Sequence, residues 1–303
     1  MEGKRKLDTG QLFNFARNSY LERTSRPVYA IVFLLPFIIF YEVGTILINT
    51  DVLNQSQVRV VAFVWLQHLL EYLGGSRLAW VAPPLVVIII LIGLQLASGK
   101  QWSFRVNDFL PMAIECTLLA VPLLVMSLFL NSPAAPQNDN NQLINNAAWI
   151  QAEAIPSTLT VGANSTLLAA AESERGTPKG RSLLADIVTG IGAGIYEELV
   201  FRLILICLLM LLFQDVLLLS RKNSLILSVL ISAALFSAHH HIVIVDGHFG
   251  RIATFNYTEF VFRTIAGIYF AVLFAMRGFA ITAGTHAFYD IIATIVNAAF
   301  FQY

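Results

Sequence analysis

The sequence is poor in charged residues, which make up 13% of its 303 residues, whereas hydrophobic residues make up 57%. Because a soluble domain carries about 25% charged residues, this composition predicts a protein whose solvent is largely lipid. The 19 basic and 19 acidic side chains balance, which removes the global electrostatic support for nucleic-acid binding. Cysteine is also scarce. Cys116 and Cys207 lie in apolar runs, where a thiol behaves as a small buried hydrophobe, so no disulfide framework is expected.

Long apolar runs predict an all-α fold, namely a polytopic membrane helical bundle of about seven transmembrane helices. The runs cover residues 28–48, 78–97, 109–130, 183–219, 224–245, 259–276 and 279–300. If the run 183–219 divides into two elements, the count becomes eight. With seven spans, Lys100, Arg221 and Arg277 fall on the side of the N-terminus, which is then cytoplasmic.

Composition divides the chain into four parts. A basic polar segment, 1–27, precedes N-terminal helices at 28–130, which include an amphipathic helix predicted at the membrane interface over 57–73. An extramembranous loop is expected at 131–182 and a second helical domain at 183–303. The long polar lead-in favours a retained first helix over a signal peptide, and a bacterial cytoplasmic membrane is the simplest location.

Three charged residues, Glu197, Glu198 and Arg202, lie in the middle of the run 183–219. Each costs about 2.5–3.5 kcal/mol at the centre of a membrane helix on insertion scales. Glu198 and Arg202 are four residues apart, so they share a helical face and can pair. Glu197 points elsewhere and is left available for chemistry, although carboxylates of this kind also serve as polar contacts between helices.

Two histidine motifs follow on the next apolar runs. Three consecutive histidines at 239–241 fan over about 200° of a helix, so at most one or two of them can serve one site. His240 shares a face with Phe236, which precedes it by four residues. His286 and Asp290 are also four residues apart and are near neighbours on one helical face.

These motifs, E-E-x-x-x-R, F-x-x-x-H and H-x-x-x-D on successive helices, resemble those of the CPBP family of CAAX prenyl proteases and bacteriocin-processing enzymes. The resemblance covers residues 183–300 and implies a membrane-embedded CAAX-type endopeptidase. It implies that Glu197 and His240 activate water, and that His286 acts near the scissile carbonyl. It also implies that Asp290 acts with His286, and that Glu198 and Arg202 are a supporting pair. Many relatives carry Asn at the place of Asp290. An ionised Asp290 cannot donate a hydrogen bond, so we expect it to accept one from His286, and the alternative is that it remains protonated.

A substrate cavity is a further expectation from this helix. Asp186, Gly190 and Glu197 lie close to one helical face, where small neighbouring residues leave room for an extended peptide, with Asp186 nearer the mouth. The alternative is close packing between helices through glycine.

We expect no bound cofactor. A water activated by Glu197 gives each motif residue one role, and the positive charge of Arg202 disfavours binding of a divalent ion nearby. Zinc held by Glu197, His240 and His286 is the alternative. The expected partners are a membrane-associated protein or peptide substrate and the lipid bilayer. Two other classes stay open: a non-proteolytic immunity or scaffold protein, and a proton-coupled transporter, although no internal repeat is visible.

Overall fold

The fold is a bundle of membrane-length helices. The computed structural model describes the residues 15–16, 18–48, 57–72, 82–130, 158–161, 183–240, 242–245, 248–251 and 257–300. Within these ranges, the N-terminal half consists of α1 (Tyr20–Thr24), α2 (Pro27–Ile48), β1 (Gln57–Val60), α3 (Val61–Tyr72), α4 (Ala82–Ser98), a 3-10 turn (Val106–Asp108), α5 (Phe109–Leu130) and β2 (Thr158–Val161). The C-terminal half consists of α6 (Leu183–Val216), α7 (Arg221–His239), β3 (Ile242–Val245), β4 (His248–Arg251), α8 (Tyr257–Arg277) and α9 (Phe279–Phe300).

Six of the described helices are long and apolar enough to cross a membrane, and residues 83–98 form a shorter apolar helix, so the count is roughly consistent with the predicted seven. The prediction of a polytopic helical bundle with about seven spans is therefore confirmed. The protein is a multi-pass integral membrane protein. Most of the predicted loop 131–182 and of the basic segment 1–27 lies outside the described residues.

The longest helix, α6, does not divide. It runs from Leu183 to Val216 as one candidate span, which supports the count of seven rather than eight. Two of its stretches, Leu199–Ile206 and Leu212–Val216, have π-helical hydrogen bonding. The first stretch begins directly after Glu198, and π-helical turns inside α-helices are frequent at functional sites.

The segment 57–73 departs from the single helix predicted for it. Residues Gln57–Val60 form β1, which pairs in antiparallel fashion with β2, and α3 begins only at Val61. The physical reason is the local pattern, since Val58 and Val60 alternate with polar residues at the period of a strand. In α3 the side chains of Ala62, Phe63 and Leu66 are buried against the rest of the protein.

Charged residues gather at the end of the bundle that holds α1. Arg277 at the end of α8 donates to Glu115 Oε2 at 2.8 Å and to Thr24 Oγ1 at 3.0 Å. Tyr20 donates to Glu115 as well, and burial together with this bond raises the pKa of the Tyr20 hydroxyl above its usual value. These bonds bring α1, α5 and α8 together at one end, as expected if the connections between helices alternate sides.

The helix α9 lies at the centre of the C-terminal half. Its buried residues include Gly284, where an added Cβ would lie 2.7 Å from Cys116 Sγ of α5. Gly194 of α6 lies equally close, because a Cβ there would lie 2.5 Å from the backbone nitrogen of Ala287. A one-residue connection through Gly278, with a φ of 78°, joins α8 to α9. Glycine tolerates that left-handed conformation at little cost.

Candidate active site

The pair Glu198–Arg202 is fully buried, and its members lie on one face of α6 as their spacing predicts. Arg202 Nε lies 3.1 Å from Glu198 Oε2, and both side chains have 0% exposure. The guanidinium carbon of Arg202 also lies 4.1 Å from the ring centroid of Phe236, and Nη2 donates to the carbonyl of Gly267 at 3.4 Å. A carboxylate, an aromatic face and a carbonyl therefore offset the cost of burying this charge.

Glu198 also holds His286. Its Oε1 lies 2.8 Å from His286 Nδ1, and because a carboxylate only accepts, Nδ1 carries the proton. The ring of Phe270 stacks on the imidazole at 4.5 Å, which fixes its plane. The far nitrogen, Nε2, lies 3.6 Å from Asp290 Oδ2 and 4.0 Å from Glu197 Oε2. The structure thus links Arg202 through Glu198 to the imidazole beside Glu197.

Two histidines reach Glu197 from the end of α7. His239 Nε2 lies 3.6 Å from Glu197 Oε1, and the rings of His239 and His240 lie 3.9 Å apart. Adjacent residues can do this because α7 ends at His239, so His240 is no longer spread around a continuing helix. His241 lies outside the described residues.

The sequence favoured His240 by the family resemblance and left open which of His239, His240 and His241 is functional. The signal that could have found His239 is the end of the helix, since the β-branched residues 242–245 favour a strand directly after the histidines. The side chains of Glu197, His239, His240, His286 and Asp290 are all buried, with 1–6% of the residue exposed.

Gly190 has no open space beside it. A Cβ there would lie 2.6 Å from the Cβ of Asp290, so the two helices are in close contact at this position. The absence of a side chain at Gly190 lets α9, which carries both His286 and Asp290, lie close against α6. This contact favours the alternative of close helix packing, and a substrate cavity beside Gly190 stays a prediction. Asp186 is buried on the same helix, and its role at a cavity mouth stays a prediction.

Replacing Gly190 with Ala or Leu is expected to lower the folded yield and the thermal stability. Forcing an extra group into a packed contact costs about 1–3 kcal/mol. The matched control is Gly93 of α4, where an added Cβ meets nothing within 4 Å, so Gly93→Ala should unfold at the wild-type temperature or slightly above it, because alanine favours a helix more than glycine does. The folded yield is measured by size-exclusion chromatography, and the stability is measured by thermal unfolding in detergent. Normal stability of Gly190→Leu combined with lost turnover would restore the cavity interpretation.

Three side chains of the buried site could also hold a metal ion. Glu197, His239 and His240 each offer a ligand atom, and these atoms lie within 4.8 Å of one another. This trio differs in one member from the zinc set named from the sequence, because His286 is replaced by His239. The reason is that Glu198 already holds His286 Nδ1, whereas both histidines at the end of α7 face Glu197.

The helical bundle and its buried glutamate and histidine side chains define a multi-pass membrane protein with an intramembrane polar site. Residues 179–292, which contain all three motifs, match the family of type II CAAX prenyl endopeptidases described as Rce1-like. The match confirms the resemblance to CAAX proteases for this part of the chain, and it supports a membrane endopeptidase at the level of the family. Neither the curated proteins nor the solved structures compared with the chain gave a match.

Proposed function

We propose that the protein is an intramembrane endopeptidase that hydrolyses a peptide bond in a membrane-associated or prenylated substrate. The observation that carries this proposal is the convergence of Glu197, the pair His239 and His240, and His286 in one buried site. Three helices supply these groups, and each group has a distinct part in amide hydrolysis.

Glu197 is the base. Its Oε1 lies 3.6 Å from His239 Nε2, which is longer than a direct hydrogen bond and is a separation at which a bridging water should be considered. His239 Nδ1 faces the carbonyl of Phe236 and so carries the proton, which leaves Nε2 of the neutral ring as an acceptor. A substrate water can then donate one hydrogen to Glu197 and the other to His239. By the family resemblance, His240 shares in holding this water.

The reaction proceeds by addition and elimination. Glu197 takes a proton from water while the water oxygen bonds to the scissile carbonyl carbon, and the carbonyl electron pair moves to oxygen. His286 Nε2, which faces Glu197 and Asp290, stabilises that oxyanion when the ring is an imidazolium, since its Nδ1–H is already donated to Glu198. The carbon–nitrogen bond then breaks, and the amine leaves with the proton returned by Glu197. A carboxylic acid and an amine result.

The test is cleavage of synthetic peptides by the purified full-length protein in lipid nanodiscs. Matched peptides with and without a prenylated C-terminal cysteine are incubated in water enriched in oxygen-18, and the products are analysed by mass spectrometry. Hydrolysis places one heavy oxygen in the new carboxyl group. Single variants His239→Gln and His240→Gln separate the contributions of the two histidines. If no peptide of either kind is cut, the proposed activity is lost.

We further expect cleavage without a bound metal. Glu197 as a metal ligand would cease to be the base, and Glu198 is committed to Arg202 and His286. If a metal were held by Glu197, His239 and His240, it would supply an activated water there. The protein is treated with a strong chelator, and elemental analysis checks that less than about one equivalent of zinc remains. Turnover should then be unchanged. Activity that disappears and returns only with stoichiometric zinc would contradict this expectation.

A further inference from the structure

One side chain of the N-terminal half touches the buried site. Trp65 of α3 lies outside the matched residues 179–292, yet its ring centroid is 5.8 Å from that of His239, with the ring planes at 67°. The indole is half-buried and also contacts Phe201 of α6 at 6.4 Å. The end of α7 is therefore bordered by a helix that belongs to the other half of the chain.

The orientation of the His239 ring needs such support. The terminal torsion of a histidine side chain is broad, so packing and hydrogen bonds decide where each nitrogen points. In His239, Nδ1 is held by the carbonyl of Phe236, and the ring faces Phe201 at 4.7 Å. Trp65 meets the imidazole in a T-shaped arrangement. With these contacts in place, Nε2 stays directed at Glu197.

The helix that carries Trp65 is itself firmly seated. Phe63, two residues before Trp65, packs edge-on against Tyr196 of α6 at 5.0 Å, and its residue exposure is 0%. The hydroxyl of Tyr196 donates to Glu42 of α2 at 3.1 Å. Because Tyr196 directly precedes Glu197, α2 and α3 contact the backbone that carries the base as well as the imidazole opposite it.

We propose that Trp65 is a positioning residue of this site, which holds the His239 imidazole so that its Nε2 faces Glu197. The role of His239 in turnover rests on the proposed function, whereas its ring geometry does not. The proposal assigns a task to the N-terminal half, in which the sequence shows no recognition motif.

Kinetics give the first test. Trp65→Ala should lower kcat at least about tenfold with little change in KM, since a misplaced catalytic group can cost up to about 100-fold in rate. Trp65→Phe should restore most of kcat because it keeps an aromatic edge against the His239 ring. The matched control is Trp102→Ala, because Trp102 is also a tryptophan of the N-terminal half and is 54% exposed.

A second readout does not depend on activity. In protein labelled with nitrogen-15 histidine, the His239 signal is assigned by comparison with His239→Gln, and its Nδ1-bound proton should be visible in the wild type. Trp65→Ala should broaden or lose that proton signal, while Trp102→Ala should keep it. If the wild-type protein cleaves no peptide, this experiment still decides the proposal.

The proposal is overturned if Trp65→Ala keeps both wild-type kcat and the His239 Nδ1 proton. Should that variant fail to fold, Trp65→Leu, which retains apolar volume without a ring, takes its place. Wild-type specific activity in the folded fraction of Trp65→Leu, with the Nδ1 proton unchanged, would reduce Trp65 to a packing role and overturn the proposal as well.

Discussion

Replacing Glu197 with Gln is expected to lower kcat at least about 100-fold and to leave the folded yield unchanged. General-base catalysis contributes about 100- to 10,000-fold, and the amide keeps the shape of the side chain while losing its basicity. Because Glu197 lies beside His239 and His286, the amide can still make hydrogen bonds in the same place. Single-turnover cleavage of a peptide identified with the wild-type protein measures the effect.

The control for this variant is Glu22→Gln. Glu22 lies on α1, pairs with Arg26 at 2.6 Å, and has a side-chain exposure of 20%. Because Glu22 lies on α1 at the end of the bundle, replacing its carboxylate should leave turnover unchanged. A Glu197→Gln protein that cuts the peptide at the wild-type rate would remove the proposed base and, with it, the proposed mechanism.

Replacing Arg202 with Ala is expected to destabilise the protein by about 3–5 kcal/mol, because it leaves a fully buried carboxylate without its cation. Glu198 has 0% exposure and also accepts from His286, so the loss should reach the site and lower turnover in whatever protein still folds. Arg202→Lys should recover part of the stability, since it restores the charge but not the planar guanidinium that lies over Phe236. Thermal unfolding in detergent and folded yield measure both variants.

Arg263→Ala is the matched control for this change. Arg263 also pairs with a glutamate four residues away on its helix, at 3.2 Å, but Glu259 has a side-chain exposure of 21%. Water can solvate that carboxylate once the arginine is gone, so the loss from the broken ion pair is expected to be about 1 kcal/mol or less, and lost packing of the arginine stem adds to it in both variants alike. Equal destabilisation by Arg202→Ala and Arg263→Ala would contradict the view that the burial of Glu198 sets the cost.

The helical architecture was predictable because lipid leaves few choices for the backbone. A run of about 20 apolar residues can satisfy its polar groups in a membrane only as a helix or a closed barrel. The run 183–219 accordingly contains one continuous helix, Leu183–Val216. The departure at residues 57–60 lies outside the long apolar runs, and there strand pairing with 158–161 formed instead.

The pairing of Glu198 with Arg202 was set by helical spacing within one segment, so the sequence was sufficient to predict it. Local rules of this kind do not reach across helices. The contact of Gly190 with Asp290 depends on how closely α6 and α9 approach, and the spacing of glycines along one helix left both a cavity and close packing open.

The sequence by itself determined the membrane-spanning helices, the resemblance of the C-terminal half to the CAAX proteases and the motif residues that this resemblance names, because apolar length and helical spacing are local properties. Only the tertiary structure decided that His239 joins His240 beside Glu197, because this depends on where α7 ends. It also decided that Trp65 of the N-terminal half lies against His239. Contacts between residues far apart in the chain follow from the packing of whole helices, which no single segment encodes.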